Sequence, residues 1–253
     1  MTDKIRRAFL DSTPVAGERT ALGPDESHHV ARVLRLKTGD ALEVFDGKGG
    51  AWEATIEGVS PDRVSVLVGE ARGREVEAGL RVLLCQAVVR PEKIEWVLQK
   101  GTEIGVAAFR LIPSERVEAP PPSPSRLVRY RRIVMEACKQ SGRRILPTLE
   151  LGVPEAPGDG VLGIVLALGE GVATLGGVLA SPPFPEVWIA VGPEGGFSDG
   201  EIASLTARGW RRASLGPRVL RTETAGAVAA AIVLHTWGDL GPPPVAGRGR
   251  SPV

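Results

Sequence analysis

Over the first 72 residues, apolar and polar positions mostly alternate. Trp52, Ala54 and Ile56 fall on every second position, as do Val64, Val66 and Val68. That period places the side chains on one face of a strand. Residues 5–10 and 41–45 read as two further strands. The run DGKGG at 46–50 reads as a hairpin turn, because glycine takes positive φ without a Cβ clash. Residues 28–36 break the alternation. Val30, Val33 and Leu34 keep helical spacing there, which predicts one short helix. The expectation is a small β-barrel domain over residues 1–72. The charged, glycine-flanked stretch 71–79 marks its boundary.

From residue 73 to 240 the pattern changes to apolar runs separated by helical periods. Residues 81–89 read as a buried strand. Pro91 then opens a helix at its first position, where a missing N–H costs nothing. Ile94, Val97, Leu98 and Gly101 form its inner face. A strand is expected at 109–112. A long helix over 126–142 turns Leu127, Tyr130, Val134, Ala137 and Cys138 inward. Residues 147–160 are rich in Pro and Gly and read as a loop. Strands follow at 161–168, 187–191 and 213–215. Ser198 with Glu201 three positions on forms a capping box, so a helix starts there. Residues 225–235 are alanine-rich and almost uncharged, hence buried on most sides. Strands alternating with helices predict an α/β domain with a mostly parallel sheet and helices on both faces. Residues 241–253 (GPPPVAGRGRSPV) read as a disordered tail.

Composition narrows the function classes. With 253 residues and 43% apolar content, the chain can build one large or two modest cores. Its net charge is +1, so any nucleic-acid contact has to come from a local patch. Cys85 and Cys138 lie far apart and at no ligand spacing, which suits buried thiols in a reducing compartment. No apolar run approaches the roughly 20 residues that span a bilayer. No secretory signal is visible at residues 1–10. A cytoplasmic protein is expected. His28 and His29 have no partner at ligand spacing, so no metal is expected. The five tryptophans read as core.

Three places carry candidate chemistry. The first is VWIAVGPEGGFS at 187–198, where an apolar strand runs into Gly192, Pro193, Glu194, Gly195 and Gly196. In open α/β sheets ligands sit beyond the carboxyl ends of strands. The dinucleotide and P-loop glycine patterns are both absent, which argues against NAD and ATP. A glycine-rich turn alone is more often an ordinary connection. The second is LGPRVLRTETA at 215–225. Thr222, Glu223 and Thr224 suit a helix start, where side-chain oxygens satisfy free N–H groups. That role leaves Arg218 and Arg221 unexplained. Arginines beside the positive end of a helix need an anion or a substrate. The third is the span 126–144, with seven Arg or Lys against the single acid Glu136. Such a local excess suits phosphate, although a solvated face is the commoner meaning of a charge run. Arg6, Arg7, Arg32 and Arg35 add cations on the first domain. Residues 1–72 hold 12 acids and 10 bases, so a footprint there has to be one-sided.

GPEGG after a strand and LGPRVLRTETA about twenty residues later resemble the bacterial small-subunit ribosomal RNA uridine-N3 methyltransferases (RsmE type). These belong to the SPOUT superfamily. HHVARVLRLKTGD at 28–40, FDGKG at 45–49, QKGTEIGV at 99–106 and EACKQSGR at 136–143 followed by Pro147 extend the likeness over most of the chain. The order and spacing of these motifs are those of the family. Gly101 stands where the family pattern leads one to expect alanine. The Pro/Gly-rich stretches near 120 and 157 and the C-terminal tail fall outside the likeness.

The resemblance implies a PUA-like RNA-binding first domain and a methyltransferase domain with a C-terminal trefoil knot. It implies an S-adenosyl-L-methionine (SAM) pocket at Leu168 and Gly169, at Val191, Gly192, Pro193, Glu194, Gly195 and Gly196, and at Leu215, Gly216, Leu220, Thr222, Thr224 and Ala225. A homodimer would complete the site. The partner would be 16S rRNA in the assembled small ribosomal subunit. Two catalytic roles can then be argued. Arg221 would offset charge developing on the uracil oxygens. Glu223 is the nearest carboxylate able to act as base, with the helix-start role as its equal rival. Candidate RNA contacts are Arg6, Arg7, Arg32, Arg35, Arg116, Arg132 and Arg143. Two alternatives stand beside this reading: a SPOUT enzyme acting on another RNA position, and a non-catalytic RNA-binding assembly protein.

Overall fold

The computed structural model describes residues 6–60, 62–73, 76–117 and 120–241. Residues 242–253 of the expected tail lie outside them, as does Ile5. The chain divides into two compact units, Met1–Glu77 with Arg132–Leu146, and Ala78–Arg131 with Pro147–Val253.

The alternating residues of the first unit build a five-stranded sheet in the order β1-β3-β4-β5-β2. Its strands are β1 (Arg7–Phe9), β2 (Arg19–Ala21), β3 (Ala41–Phe45), β4 (Ala51–Val59) and β5 (Val64–Ala71). Trp52, Ala54, Ile56, Val64, Val66 and Val68 all enter one core. The hairpin forms at DGKGG. Asp46 Oδ1 accepts from the amides of Lys48 and Gly50 at 2.8 and 2.9 Å. Gly47 and Gly49 take φ of 71° and 114°, as such a turn requires. The expected helix starts earlier. It runs as α1 (Pro24–His28), with proline in its first turn, and continues as one π-helical turn to Val33. β2 was not legible, because three half-exposed residues carry no period.

The segment 132–146 belongs to this unit through buried ion pairs and backbone contacts. Lys139 Nζ meets Glu26 Oε1 at 2.7 Å, with side chains only 6% and 7% exposed. Arg143 meets Glu77 at 2.8 Å. Arg7 donates to the carbonyls of Cys138 and Arg143 at 2.7 and 2.9 Å and to Glu43 at 2.6 Å. The Leu146 amide donates to the Gly47 carbonyl at 2.9 Å. Two of the sequence motifs, FDGKG and the stretch after EACKQSGR, therefore meet in space.

The second unit is built on a six-stranded sheet in the order β11-β9-β10-β6-β7-β8, with every pairing parallel. The strands are β6 (Arg81–Ala87), β7 (Ala108–Ile112), β8 (Thr148–Leu151), β9 (Val161–Leu166), β10 (Glu186–Val191) and β11 (Arg211–Ala213). The helices are α2 (Pro91–Ile104), α3 (Pro124–Ser141, whose first residues belong here), α4 (Leu175–Val178), α5 (Asp199–Ala207) and α6 (Thr222–Trp237). β6 shows why helices cover both faces. Leu84 packs within 3.2 Å of where a side chain on Gly226 of α6 would sit. Leu83, Cys85 and Ala87 pack in a cluster with Phe197 and with Leu205 of α5. Alternate residues thus face opposite layers. The expected capping box forms, with Ser198 and Glu201 bonded reciprocally. β8 lies inside the expected Pro/Gly loop. It is an edge strand, mostly exposed, so no apolar pattern announced it. Both cysteines are free and buried, and burial pushes each thiol up to about 12. Trp96 departs from the core expectation and is 39% exposed. No described helix is long and apolar enough to cross a membrane.

Candidate active site

Because the sheet is parallel, the carboxyl ends of its strands share one edge. β11, β9 and β10 are consecutive neighbours. The segments that follow them therefore emerge side by side. They carry Leu168 and Gly169, then Val191–Gly196, then Leu215–Ala225. The three stretches singled out along the chain for a cofactor are one region in space.

The turn after β10 is close-packed on itself. A Cβ on Gly192 would lie 2.7 Å from the Phe197 amide nitrogen. Gly196 takes φ of 69°. Val191, Gly192 and Pro193 are buried, whereas Glu194, Gly195 and Gly196 are exposed. Two apolar side chains stand uncovered in the flanking segments, Leu168 at 58% and Val219 at 78% exposure. Leu215, Gly216 and Leu220 are half-buried.

Thr222 behaves differently from expectation. The helix cap is Arg221, which makes no side-chain capping bond. The Thr222 hydroxyl donates instead to the Gly192 carbonyl at 2.5 Å and accepts from Gln86 Nε2 at 2.8 Å. A buried hydroxyl beside a free carbonyl is satisfied there rather than on its own helix. The result ties the head of α6 to the glycine turn and to β6. Thr224 and Ala225 lie half-buried in the same first turn.

The charged groups form a second tie. Lys93, in the first turn of α2, meets Glu194 at 2.8 Å and Glu223 at 3.4 Å. The hydrogen bond to Glu194 raises the Lys93 ammonium above its ordinary range, against partial burial, and the charges of Glu194 and Glu223 add to it. The same bond holds the Glu194 carboxyl below its ordinary value. Glu223 keeps one buried oxygen, Oε2, with no hydrogen bond. Arg218 and Arg221 are exposed and make no ion pair among the described residues. Arg116 donates to the Gly195 carbonyl at 2.6 Å, so it braces the turn directly.

The other candidate RNA contacts divide. Arg6, Arg32, Arg35 and Arg132 are exposed. Arg35 sits at φ 54°, the one left-handed non-glycine among the described residues. Arg7 and Arg143 are interior, committed to Glu43 and Glu77. Lys139 and Arg144 are buried as well. The charge count along 126–144 thus overstates the surface footprint, because buried carboxylates neutralise part of it. A cavity of about 750 Å³ in the first unit is lined by Arg6, Arg7, His29, Arg72 and Lys139, and also by Glu53 and Glu136.

Gln86 and Lys93 were not singled out in the sequence. Gln86 had a signal, since it is a lone polar residue inside the apolar run LLCQAVV. Lys93 had none, because only the parallel pairing of β6 with β10 brings it to Glu194. Among the described residues no group of His, Cys, Asp and Glu could hold a metal ion.

Fold and candidate site together define a class: a parallel α/β domain with its candidate ligand edge at three adjacent loops, preceded in sequence by a small β domain. Residues 76–234 match the family described as RNA methyltransferase domain, and residues 22–69 the RNA methyltransferase PUA domain. The chain belongs to the RNA methyltransferase family, in the group called ribosomal RNA small subunit methyltransferase E. The relative of that name from Synechocystis is 35% identical over 81% of this chain and 69% of its own. The one from Bacillus subtilis is 29% identical over 87% and 93%. Among solved structures, a Legionella pneumophila protein with bound cofactor SAM superposes with a TM-score of 0.87 at 32% identity, covering 94% of this chain and all of that one. The Neisseria gonorrhoeae methyltransferase E bound to SAM gives 0.83 at 27% identity, over 92% and 98%.

Proposed function

We propose that this protein transfers a methyl group from SAM to N3 of a uridine in 16S rRNA, acting on the small ribosomal subunit in the cytoplasm. The observation that carries the reading is the convergence of the loops after β9, β10 and β11, locked by the bond from Thr222 to Gly192. The residues present fit the cofactor. Gly192 lets the turn close tightly on itself, Gly196 leaves exposed backbone with open space beside it, and uncovered Leu168 and Val219 offer apolar surface to a flat base. The tie of Thr222 to Gly192 and Gln86 also supports a C-terminal segment folded back across β10 and β6, as a trefoil knot requires. A second copy of the chain completes the site in this reading.

SAM, when bound, supplies an electrophilic methyl group on a sulfonium. The chain has to position the uracil in line and manage the N3 proton. Arg221, exposed at the cap of α6, is free to offset negative charge on the uracil oxygens. Glu223, two residues on, is the carboxylate nearest to Arg221 along the chain and the candidate to accept the proton, its Oε2 buried and 3.4 Å from the Lys93 ammonium. Arg6, Arg32, Arg35, Arg116 and Arg132 are the exposed cations available to RNA phosphates.

The test is methyl transfer from labelled SAM to small subunits lacking the modification, with nucleoside mass spectrometry. The expected product is 3-methyluridine. Methylation at another atom or nucleotide would replace the substrate assignment. SAM binding without transfer would leave only the cofactor assignment standing.

A further inference from the structure

The loops that the proposed function assigns to cofactor and substrate are held together by residues from outside all of them. β6 and α2 supply both ties. Gln86 reaches Thr222, which bonds to the Gly192 carbonyl. Lys93 lies between Glu194 in the turn after β10 and Glu223 in the first turn of α6. The first tie is buried and neutral. The second stands at the rim, with Lys93 22% exposed and Glu223 14%. A lysine held between two carboxylates on different segments restrains the distance between them, because moving from Glu194 loses a charge-assisted hydrogen bond and moving from Glu223 loses its ion pair. Nothing else in the described residues pairs with Glu223. Its Oε2 has no hydrogen-bond partner, and Lys93 at 3.4 Å is its single opposite charge.

We propose that Lys93 is a positioning residue for the methyl-transfer reaction. It bridges Glu194 and Glu223 and so sets the carboxylate of Glu223 against the cofactor-side turn. Lys93 acts through Glu223 and does not itself meet the reacting atoms. The turn keeps two further supports without it, the Thr222 bond to Gly192 and the Arg116 bond to Gly195. Loss of Lys93 therefore acts on turnover more than on SAM affinity. The inference rests on the proposed function for its kinetic readout, while hydrogen exchange reads the bridge without any reaction.

The experiment compares Lys93→Ala and Lys93→Arg, each alone and in the Glu223→Gln background, by kcat, by the SAM Kd from calorimetry and by amide exchange. Lys93→Ala should lower kcat at least tenfold and leave the SAM Kd within about threefold, roughly 0.7 kcal/mol. Lys93→Arg should restore most of kcat, since a guanidinium also reaches two carboxylates. In the Glu223→Gln background Lys93→Ala should add little further loss. Exchange should quicken in the 194–197 turn and at 223–225 together. Equal loss in both backgrounds would show that Lys93 does not act through Glu223 and would overturn the proposal. Unchanged exchange in both segments would overturn it too, whatever the activity. Full turnover by Glu223→Gln alone would remove Glu223 from the reaction and overturn the proposal with it, while continued formation of 3-methyluridine would leave the proposed function standing.

Discussion

At the scale of single residues, Gly192 is the most constrained position of the candidate site. A methyl group there would lie 2.7 Å from the Phe197 nitrogen and 3.0 Å from the Gly196 carbonyl carbon. Both are backbone atoms and neither can swing aside. Gly192→Ala therefore has to move the turn itself, an overpacking cost of about 1–3 kcal/mol. SAM affinity is expected to fall at least tenfold, because the turn that displaces is the one proposed to hold the cofactor. Calorimetry with the purified variant checks this, and an unchanged Kd would place SAM elsewhere. The glycines of this turn were visible in the sequence as a motif. Which of them is sterically obligatory was not, because that depends on how the chain folds back on itself within five residues.

At the scale of elements, the bond between the head of α6 and the turn after β10 deserves a direct measurement. Thr222→Val keeps the shape and removes the hydroxyl. The Gly192 carbonyl and Gln86 Nε2 then lose a partner in a buried place, at a cost of about 1–3 kcal/mol. Urea unfolding should show that loss, and a change below about 0.5 kcal/mol would mean that the tie is not a stabilising one. The elements themselves were mostly legible. α2 starts at its proline, α5 at its capping box, and β4 and β5 follow their alternation. The misses share a physical cause. β2, β8 and α4 are three or four residues long, too short for a period to show. Thr222 reads locally as a helix-start residue, and the Gly192 carbonyl in the turn after β10 outcompetes that role.

At the scale of the whole molecule, Glu77 joins two stretches far apart in sequence. It accepts from the Arg143 guanidinium and from the amides of Arg144 and Ile145. Burial pushes its carboxyl up, but these donors and the Arg143 charge together outweigh that and hold it below its ordinary value of 4.5. A carboxylate depressed in the folded state contributes stability that is present above its unfolded value. That contribution is lost as pH falls through the folded value. Glu77→Gln should thus lower the urea midpoint at pH 7, and the gap to wild type should narrow as pH falls below the ordinary value of 4.5. A gap that stays constant with pH would mean that the effect is one of packing rather than charge.

The sequence by itself determined the α/β class, the small β domain before it, and the stretches proposed to form the ligand site. Periodicity and glycine placement are local properties, and local properties are written in order along the chain. Tertiary structure alone decided that Lys139, Arg143 and Arg7 are interior cations, because their neutralising partners Glu26, Glu77 and Glu43 lie 36 to 113 positions away. It alone brought Lys93 and Gln86 to the candidate site, because the parallel register of β6 beside β10 carries them to Glu194, Glu223 and Thr222. Charge and polarity can be counted in a sequence, but what they act on is set by which strands become neighbours.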